Sequence, residues 1–427
     1  MFICGYVLIK NLQYIKSFRV LSAINLIDHK MLQSSLILLN RQVVAQRLTR
    51  YYRIASKQNS DLNHAVSEAE KVVGYPTSFL NLRWLLTDEL ANVALHFRKL
   101  IGTNHPLLQT ARKLFIGNAM PAWGLIVLLI SKAGGLNTYF PENERDATAG
   151  VLHSQRALAE VTEMIRTSNL IHKSLLNMDE KTKGDIMDLN FGNKIALLSG
   201  DYLLSKSYHE LACLRNQNLN ELMSSALRDL VDAEFICPRD KQDLPLPSKP
   251  INTQTNVTIV DHFDTKPYNI SEVLGNPYAE WTLRNILGGA SLLGKSCQGT
   301  LKLARHPENV QELGYLFGKN LALAWQAQLE QEAFISTSGS ENFSLVCAPV
   351  MIHLHYDSGL YEKIEKGKDD VRDIDYEDLR RAIQNGPALE KTKELQKELS
   401  CNALDVLFKL PCSDARTALE NIINTML

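Results

Sequence analysis

The 427-residue chain has no run of about 18 consecutive apolar residues, so its sequence offers no membrane-spanning helix. Cysteine is scarce and unpatterned: Cys4, Cys213, Cys237, Cys297, Cys347, Cys401 and Cys412 include no C-x-x-C pair. An odd, scattered set points to reduced thiols in an intracellular compartment and not to a disulfide framework. Excess charge is absent too. With 46 basic and 47 acidic residues, the formal charge of -1 gives no reason to expect nucleic acid or another polyanion as a partner. No internal repeat is visible.

Acid is nearly missing from the first sixty residues, which hold Asp28 against nine Lys or Arg. Leu, Ile and Val alternate there with Arg41, Arg47, Arg50 and Arg53. An amphipathic, basic, acid-poor segment is the composition of a mitochondrial presequence, so residues 1–58 are read as a targeting segment, with Met31 as an alternative start. An ordinary amphipathic helix is the bland alternative.

From Asp61 onward apolar residues recur at helical spacing. The pattern predicts helices from Asn63 to Val73, Leu80 to Ile101, Pro106 to Phe115 and Ala122 to Ala133. Another is predicted from about Ala147. Ser413 is a natural cap for a last helix whose stripe is Ala415, Leu419, Ile422 and Ile423. Between Cys237 and Glu272, prolines and polar residues replace periodicity, and residues 236–274 read as a flexible insertion. His353 and His355 form an H-x-H pair. With no third ligand in view, it reads as a surface or core-edge pair.

The stretch Leu158–Leu204 reads as two helices joined by a polar turn. Its first half, with Glu163, Thr167, Ser168, Leu170, Ile171 and His172, resembles the frame preceding the first aspartate-rich motif of the trans-prenyl diphosphate synthases. Further matches are Gly200, Asp201, Leu203 and Leu204 (G-D-x-L-L), Ala290–Leu292 (A-S-L), and Gly318, Asn320, Leu321, Ala324 and Gln326. Ala348–Val350 and the closing LPCSDARTAL extend the likeness over residues 61–427. The resemblance implies an all-α isoprenoid-synthase helical bundle around a central cavity.

The same alignment exposes what is missing. The five places of D-D-x-x-D hold Lys173, Ser174, Leu175, Leu176 and Asn177. The second motif becomes Leu329, Glu330, Gln331, Glu332 and Ala333. Gly117, Asn118 and Met120 stand where the resemblance implies basic residues for isopentenyl diphosphate, and Gly288 and Gly289 replace Lys-Thr. Two adjacent glycines inside a helix predict a kink. Thr182, Lys183 and Gly184 keep one basic residue of a phosphate-gripping pair, and Asp179 with Glu180 reads as a solvated turn.

Magnesium takes oxygen ligands, usually carboxylates plus substrate phosphates. If 173 and 177 shared a helix face, aspartates there would clamp the ion. Lysine and asparagine do not, and Lys173 would repel it. Among the known branches, the pattern resembles the second, non-catalytic subunit of long-chain (decaprenyl) diphosphate synthases. That resemblance implies no catalytic residue and no cofactor in this chain, with Mg²⁺ on a catalytic partner subunit in the mitochondrial matrix. The partner would extend farnesyl or geranylgeranyl diphosphate to the ubiquinone side chain. The alternatives are a polyprenyl-diphosphate-binding module and a helical scaffold with no synthase partner. Ser168, one turn before the first motif, resembles the small residue that keeps a long product tunnel open.

Overall fold

A computed structural model describes residues 61–74, 105–116, 121–146, 149–178, 185–251, 259, 263–335 and 343–427. The targeting reading of residues 1–58, the helix expected from Leu80 to Ile101, and positions 117–120, 179–184 and 336–342 lie outside them.

Almost every described element is a helix. In chain order they are α1 (61–73), α2 (Pro106–Ile116), α3 (Trp123–Gly134), α4 (His153–His172), α5 (Ile186–Cys213), α6 (Gln217–Glu234) and α7 (Pro277–Asn285). Then come α8 (Ser291–Leu303), α9 (Glu308–Ile335), α10 (Ala348–Tyr356), α11 (Gly359–Glu365), α12 (Tyr376–Asn385), α13 (Ala388–Leu407) and α14 (Asp414–Asn424). The helix expected to start near Ala147 begins six residues later. A two-stranded antiparallel ribbon, Arg145–Asp146 with Val151–Leu152, occupies the approach. Gln155 then fastens the start of α4: its side chain accepts from the Leu152 N–H at 2.9 Å and donates to the Thr300 carbonyl at 2.9 Å.

Polar residues set the helix starts. Asp185, Asn216, Asn276 and Ser413 each accept from a backbone N–H in the first turn of α5, α6, α7 and α14. The α14 stripe read from the sequence, Ala415, Leu419, Ile422 and Ile423, is wholly buried. The helix α3 is buried on nearly all sides, as its unbroken WGLIVLLIS demands.

Helix α9 is the spine. It packs against α8 along one side and α13 along the other. The first crossing is tight enough to need glycine: a Cβ on Gly318 would lie 2.7 Å from the Leu293 carbonyl and 2.9 Å from the Gly294 Cα. The upper half of α9, with Phe317, Leu321 and Trp325, belongs to a large core shared with α3, α4, α5, α6 and α8. Its lower half, with Ala327 and Phe334, belongs to a second core built with α10, α11 and α12.

The kink expected at Gly288–Gly289 is present. Ile286–Ala290 forms a π-helical turn between α7 and α8, and Gly289 leaves helical geometry at φ 170°. The described residues of the insertion at 236–274 make side-chain hydrogen bonds to the helices. Arg284 donates to the carbonyls of Ile236 and Leu246, and its partner Glu280 accepts from Ser248 and Gly275. Arg228 donates to the carbonyls of Thr265 and Lys266, and Tyr268 meets Tyr315 hydroxyl to hydroxyl at 2.6 Å. The bonds of Arg284, Glu280 and Arg228 satisfy loop carbonyls or N–H groups that water would otherwise serve.

Candidate functional site

The first degenerate motif does not lie on a helix. Helix α4 ends at His172; Lys173 and Ser174 form a turn, and residues 175–178 are irregular. Positions 173 and 177 therefore share no helix face, contrary to the geometry assumed from spacing. Ser174 Oγ donates to the Ile171 carbonyl at 2.6 Å, supplying one of the partners a helix end lacks. Lys173 turns to Glu234 on α6, Nζ to Oε1 3.0 Å. Asn177 is exposed.

What holds the segment is Asn193 on α5. Its Oδ1 accepts from the Leu176 N–H at 2.9 Å and its Nδ2 donates to the Leu176 carbonyl at 2.9 Å. His105 Nε2 lies 3.0 Å from the same Oδ1, while its Nδ1 accepts from the Leu107 N–H at 3.1 Å and so caps α2. These bonds assign the neutral tautomer with the proton on Nε2. The ring is buried against Gly192, whose missing Cβ would fall 2.3 Å from it. Burial lowers the His105 pKa below 6.5, partly opposed by the Asn193 bond.

The frame residues before the motif join helices. Ser168 Oγ donates to the Gly200 carbonyl at 2.8 Å and is buried between α4 and α5. His172 Nε2 stands 3.2 Å from Asp201 Oδ1. Glu163 Oε1 accepts from the Gly124 N–H at 2.9 Å, placing a carboxylate at the positive end of α3. Arg166, 3.8 Å from Glu163, lies over the Trp123 ring with its guanidinium carbon 4.7 Å from the ring centre.

In the second degenerate motif, Leu329 packs on the large core and Ala333 on the smaller one. Ala333 also gives its carbonyl to the Arg380 guanidinium. Glu330 lies between them, and both of its carboxylate oxygens are engaged. Oε2 accepts from Trp281 Nε1 at 2.8 Å and from the Ala348 N–H at 2.7 Å; Oε1 accepts from Gln326 Nε2 at 2.7 Å. Burial raises its pKa, against the pull of these three donors. Glu332 points out to solvent on another face of α9.

These residues do not fit a magnesium ion. Glu330, the carboxylate at an aspartate position of the second motif, is a strut between α7, α9 and α10. The first motif offers an ion-paired lysine, a hydroxyl turned to its own backbone and a remote amide. No group of three or more His, Cys, Asp or Glu side chains among the described residues could hold a metal. His353 is buried in α10 and His355 exposed, so the H-x-H pair is split between core edge and surface. No helix among the described residues is long and apolar enough to cross a membrane.

Spacing did not reveal three groups. The Asn193–His105 latch gave no signal. Trp123 has an indole N–H that is buried without a hydrogen-bond partner. Lys295 is fully buried with Nζ 2.6 Å from Asp229 Oδ2, and Ser291 Oγ donates to the same oxygen at 2.5 Å. Arg228 reaches the other oxygen at 2.8 Å. The signal for this last group was a lysine inside ASLLGKSC, an apolar helix where a charge needs a partner.

No protein-family model matches the chain. It is 38% identical over 382 residues to the human protein named all trans-polyprenyl-diphosphate synthase PDSS2, covering 86% of this chain and 88% of that one. It is 26% identical over 434 residues to a probable mitochondrial hexaprenyl pyrophosphate synthase of Yarrowia lipolytica, covering 87% and 89%. Two solved structures share its fold. The geranylgeranyl pyrophosphate synthase of Bacteroides thetaiotaomicron has a TM-score of 0.57 at 16% identity, covering 85% of this chain and 99% of that one. The decaprenyl diphosphate synthase of Rhodobacter capsulatus has a TM-score of 0.54 at 14% identity, covering 86% and 98%. With frame motifs, helical architecture and relatives in agreement, the chain belongs to the all-trans polyprenyl diphosphate synthase family.

Proposed function

We propose that the chain is the non-catalytic subunit of a heteromeric polyprenyl diphosphate synthase, and that a catalytic homologue supplies both aspartate clusters and their magnesium. One observation carries the reading: at both motif positions the side chains present serve the chain's own structure. Both oxygens of Glu330 are engaged by three donors of the chain's own helices, and Lys173 and Asn177 sit beyond the end of α4. Drift that erases a site seldom rebuilds its carboxylate as a strut while preserving Gly200, Gly318 and the A-S-L run. The subunit's task is then to stabilise the active chain and shape its long product. Relatives named as mitochondrial hexaprenyl synthases, together with acid-poor residues 1–58, support a site of action in the mitochondrial matrix and a product destined for ubiquinone.

The test is co-expression with the catalytic long-chain synthase of the same organism, each chain assayed alone and together with farnesyl diphosphate, isopentenyl diphosphate and Mg²⁺. Product that needs both chains, and survives Glu330→Gln in this one, is the expected result. Product from this chain alone sinks the proposal. Glutamine is the right replacement because its amide oxygen can still serve Trp281 and Ala348, whereas alanine would leave both donors unpaired.

A second reading, a polyprenyl-diphosphate-binding module, is favoured by the unpartnered Trp123 indole under the Arg166 cation. A Cβ on Gly288, in the turn beside them, would meet no atom within 4 Å. Micromolar binding of a polyprenyl diphosphate by the isolated chain, lost in Trp123→Phe, would favour it over the subunit reading.

A further inference from the structure

The turn that carries the first degenerate motif is held at two points. Lys173 pairs with Glu234, but the two side chains are 42% and 45% exposed, and an ion pair in water contributes little. The other point is Leu176, whose N–H and carbonyl are both bonded to the Asn193 side chain on α5. On either side of it Leu175 and Asn177 face solvent. Asn193 therefore decides where residues 173–178 lie.

Asn193 is itself positioned. Its Oδ1 takes a second donor, the Nε2–H of His105, which fixes the plane of the amide. That ring is wedged where a side chain at 192 would begin: a Cβ on Gly192 would fall 2.3 Å from its Cδ2 and 2.8 Å from its Nε2. The other ring nitrogen already has a task, accepting the Leu107 N–H at the start of α2. His105 thus joins α2, α5 and the motif turn, with 1% of its surface exposed.

This geometry suits the neutral ring. In the protonated ring Nδ1 becomes a donor and meets the Leu107 N–H head on, so the start of α2 loses its acceptor. The new charge also lies at the N-terminal end of α2, where the helix dipole is already positive. Burial opposes the charge as well and outweighs the Asn193 bond that favours it. Among the described residues of the surrounding elements, Asp188 and Lys194 on α5 are exposed, Lys173 of the turn is paired to Glu234, and His172 at the end of α4 stands against Asp201. A protonated ring has to leave its seat on Gly192, and Asn193 then loses the donor that fixes its amide.

We propose that His105 is a positioning residue for the turn 173–178, a proton-sensitive latch that acts through Asn193: neutral, it holds Leu176 on α5, and protonated, it lets the turn go. Because burial sets the folded value below 6.5, the latch is complete above 6.5 and fails as pH falls through that lower value. The inference concerns this chain by itself and stands whether or not a catalytic homologue docks on it.

The experiment is amide hydrogen exchange of the purified full chain, read at Leu176 and, as an internal control, along Gly314–Leu321 of α9, with intrinsic rates corrected for pH. Between about pH 7.5 and about pH 5, protection of Leu176 should fall at least about threefold while α9 keeps its protection. His105→Asn leaves a neutral cap for α2 that takes up no proton, so protection of Leu176 should no longer vary with pH. Gly192→Ala fills the seat of the ring and should give, at about pH 7.5, the weak protection that the wild type shows at about pH 5. Constant protection of Leu176 in the wild type overturns the proposal, as does a pH dependence that persists in His105→Asn or full protection in Gly192→Ala. An equal loss along α9 would mean global unfolding and overturns it too. If a variant does not fold, the wild-type contrast between Leu176 and α9 still decides.

Discussion

At the residue scale, Glu330 shows how a metal-ligand position can become structural. It is the one carboxylate at an aspartate position of either motif, and its two oxygens hold Trp281 of α7, Gln326 of α9 and the first N–H of α10. Removing it leaves the Trp281 and Ala348 donors without a partner, so Glu330→Ala should cost about 2 kcal/mol in urea unfolding, and Glu330→Gln clearly less. Because burial raises its pKa, the folded chain binds a proton there more readily than the unfolded chain. That contribution is present at low pH and fades as pH rises through the folded value. His105 works in the opposite direction. Its pKa is depressed from 6.5, so the stability it contributes is complete above that value and is lost as pH falls through the lower folded value. A second proton on Nδ1 would face the Leu107 N–H. The urea midpoint should therefore drop on acidification from neutrality, and the drop should shrink in His105→Gln. Lys295 is a third case. Lys295→Met removes the partner at 2.6 Å from a fully buried Asp229, and about 3 kcal/mol or more of stability should go with it.

At the scale of elements, spacing located the helices and misjudged one ending that mattered. Periodicity placed α3 within a residue of its ends and a cap placed the start of α14, because a buried stripe and a capping side chain are local properties. Nothing local stops α4 at His172, since Lys173, Ser174 and Leu175 are all acceptable in a helix. The stop is made by α5, where Asn193 pairs with both backbone groups of Leu176. Asn193→Ala should free residues 173–178, read as faster amide exchange at Leu176 with a global loss of about 1 to 2 kcal/mol. The same geometry predicts that Lys173→Asp with Asn177→Asp will not give this chain magnesium-dependent prenyl transfer, since the two positions are not on one helical face. The crossing of α8 and α9 offers a complementary test. Gly318→Ala pushes a methyl into the Leu293 carbonyl, and about 2 kcal/mol of destabilisation should follow.

At the scale of the whole molecule, the sequence by itself determined that this is an all-helical member of the prenyl synthase family without its two aspartate clusters. Those facts reside in which residues stand at which positions: helical periods, caps, glycines at close crossings, and lysine, asparagine or leucine where carboxylates belong. Only the tertiary structure decided what became of the vacated site. It turned Glu330 into a strut between two cores, folded residues 173–178 back onto α5, buried Lys295 against Asp229 and tied the described ends of the 236–274 insertion to Arg228, Arg284 and Tyr315. Each of these is a contact between residues remote in the chain. Such contacts pair a buried donor with whatever acceptor the packing brings to it, and no local pattern of residue types records which one that will be.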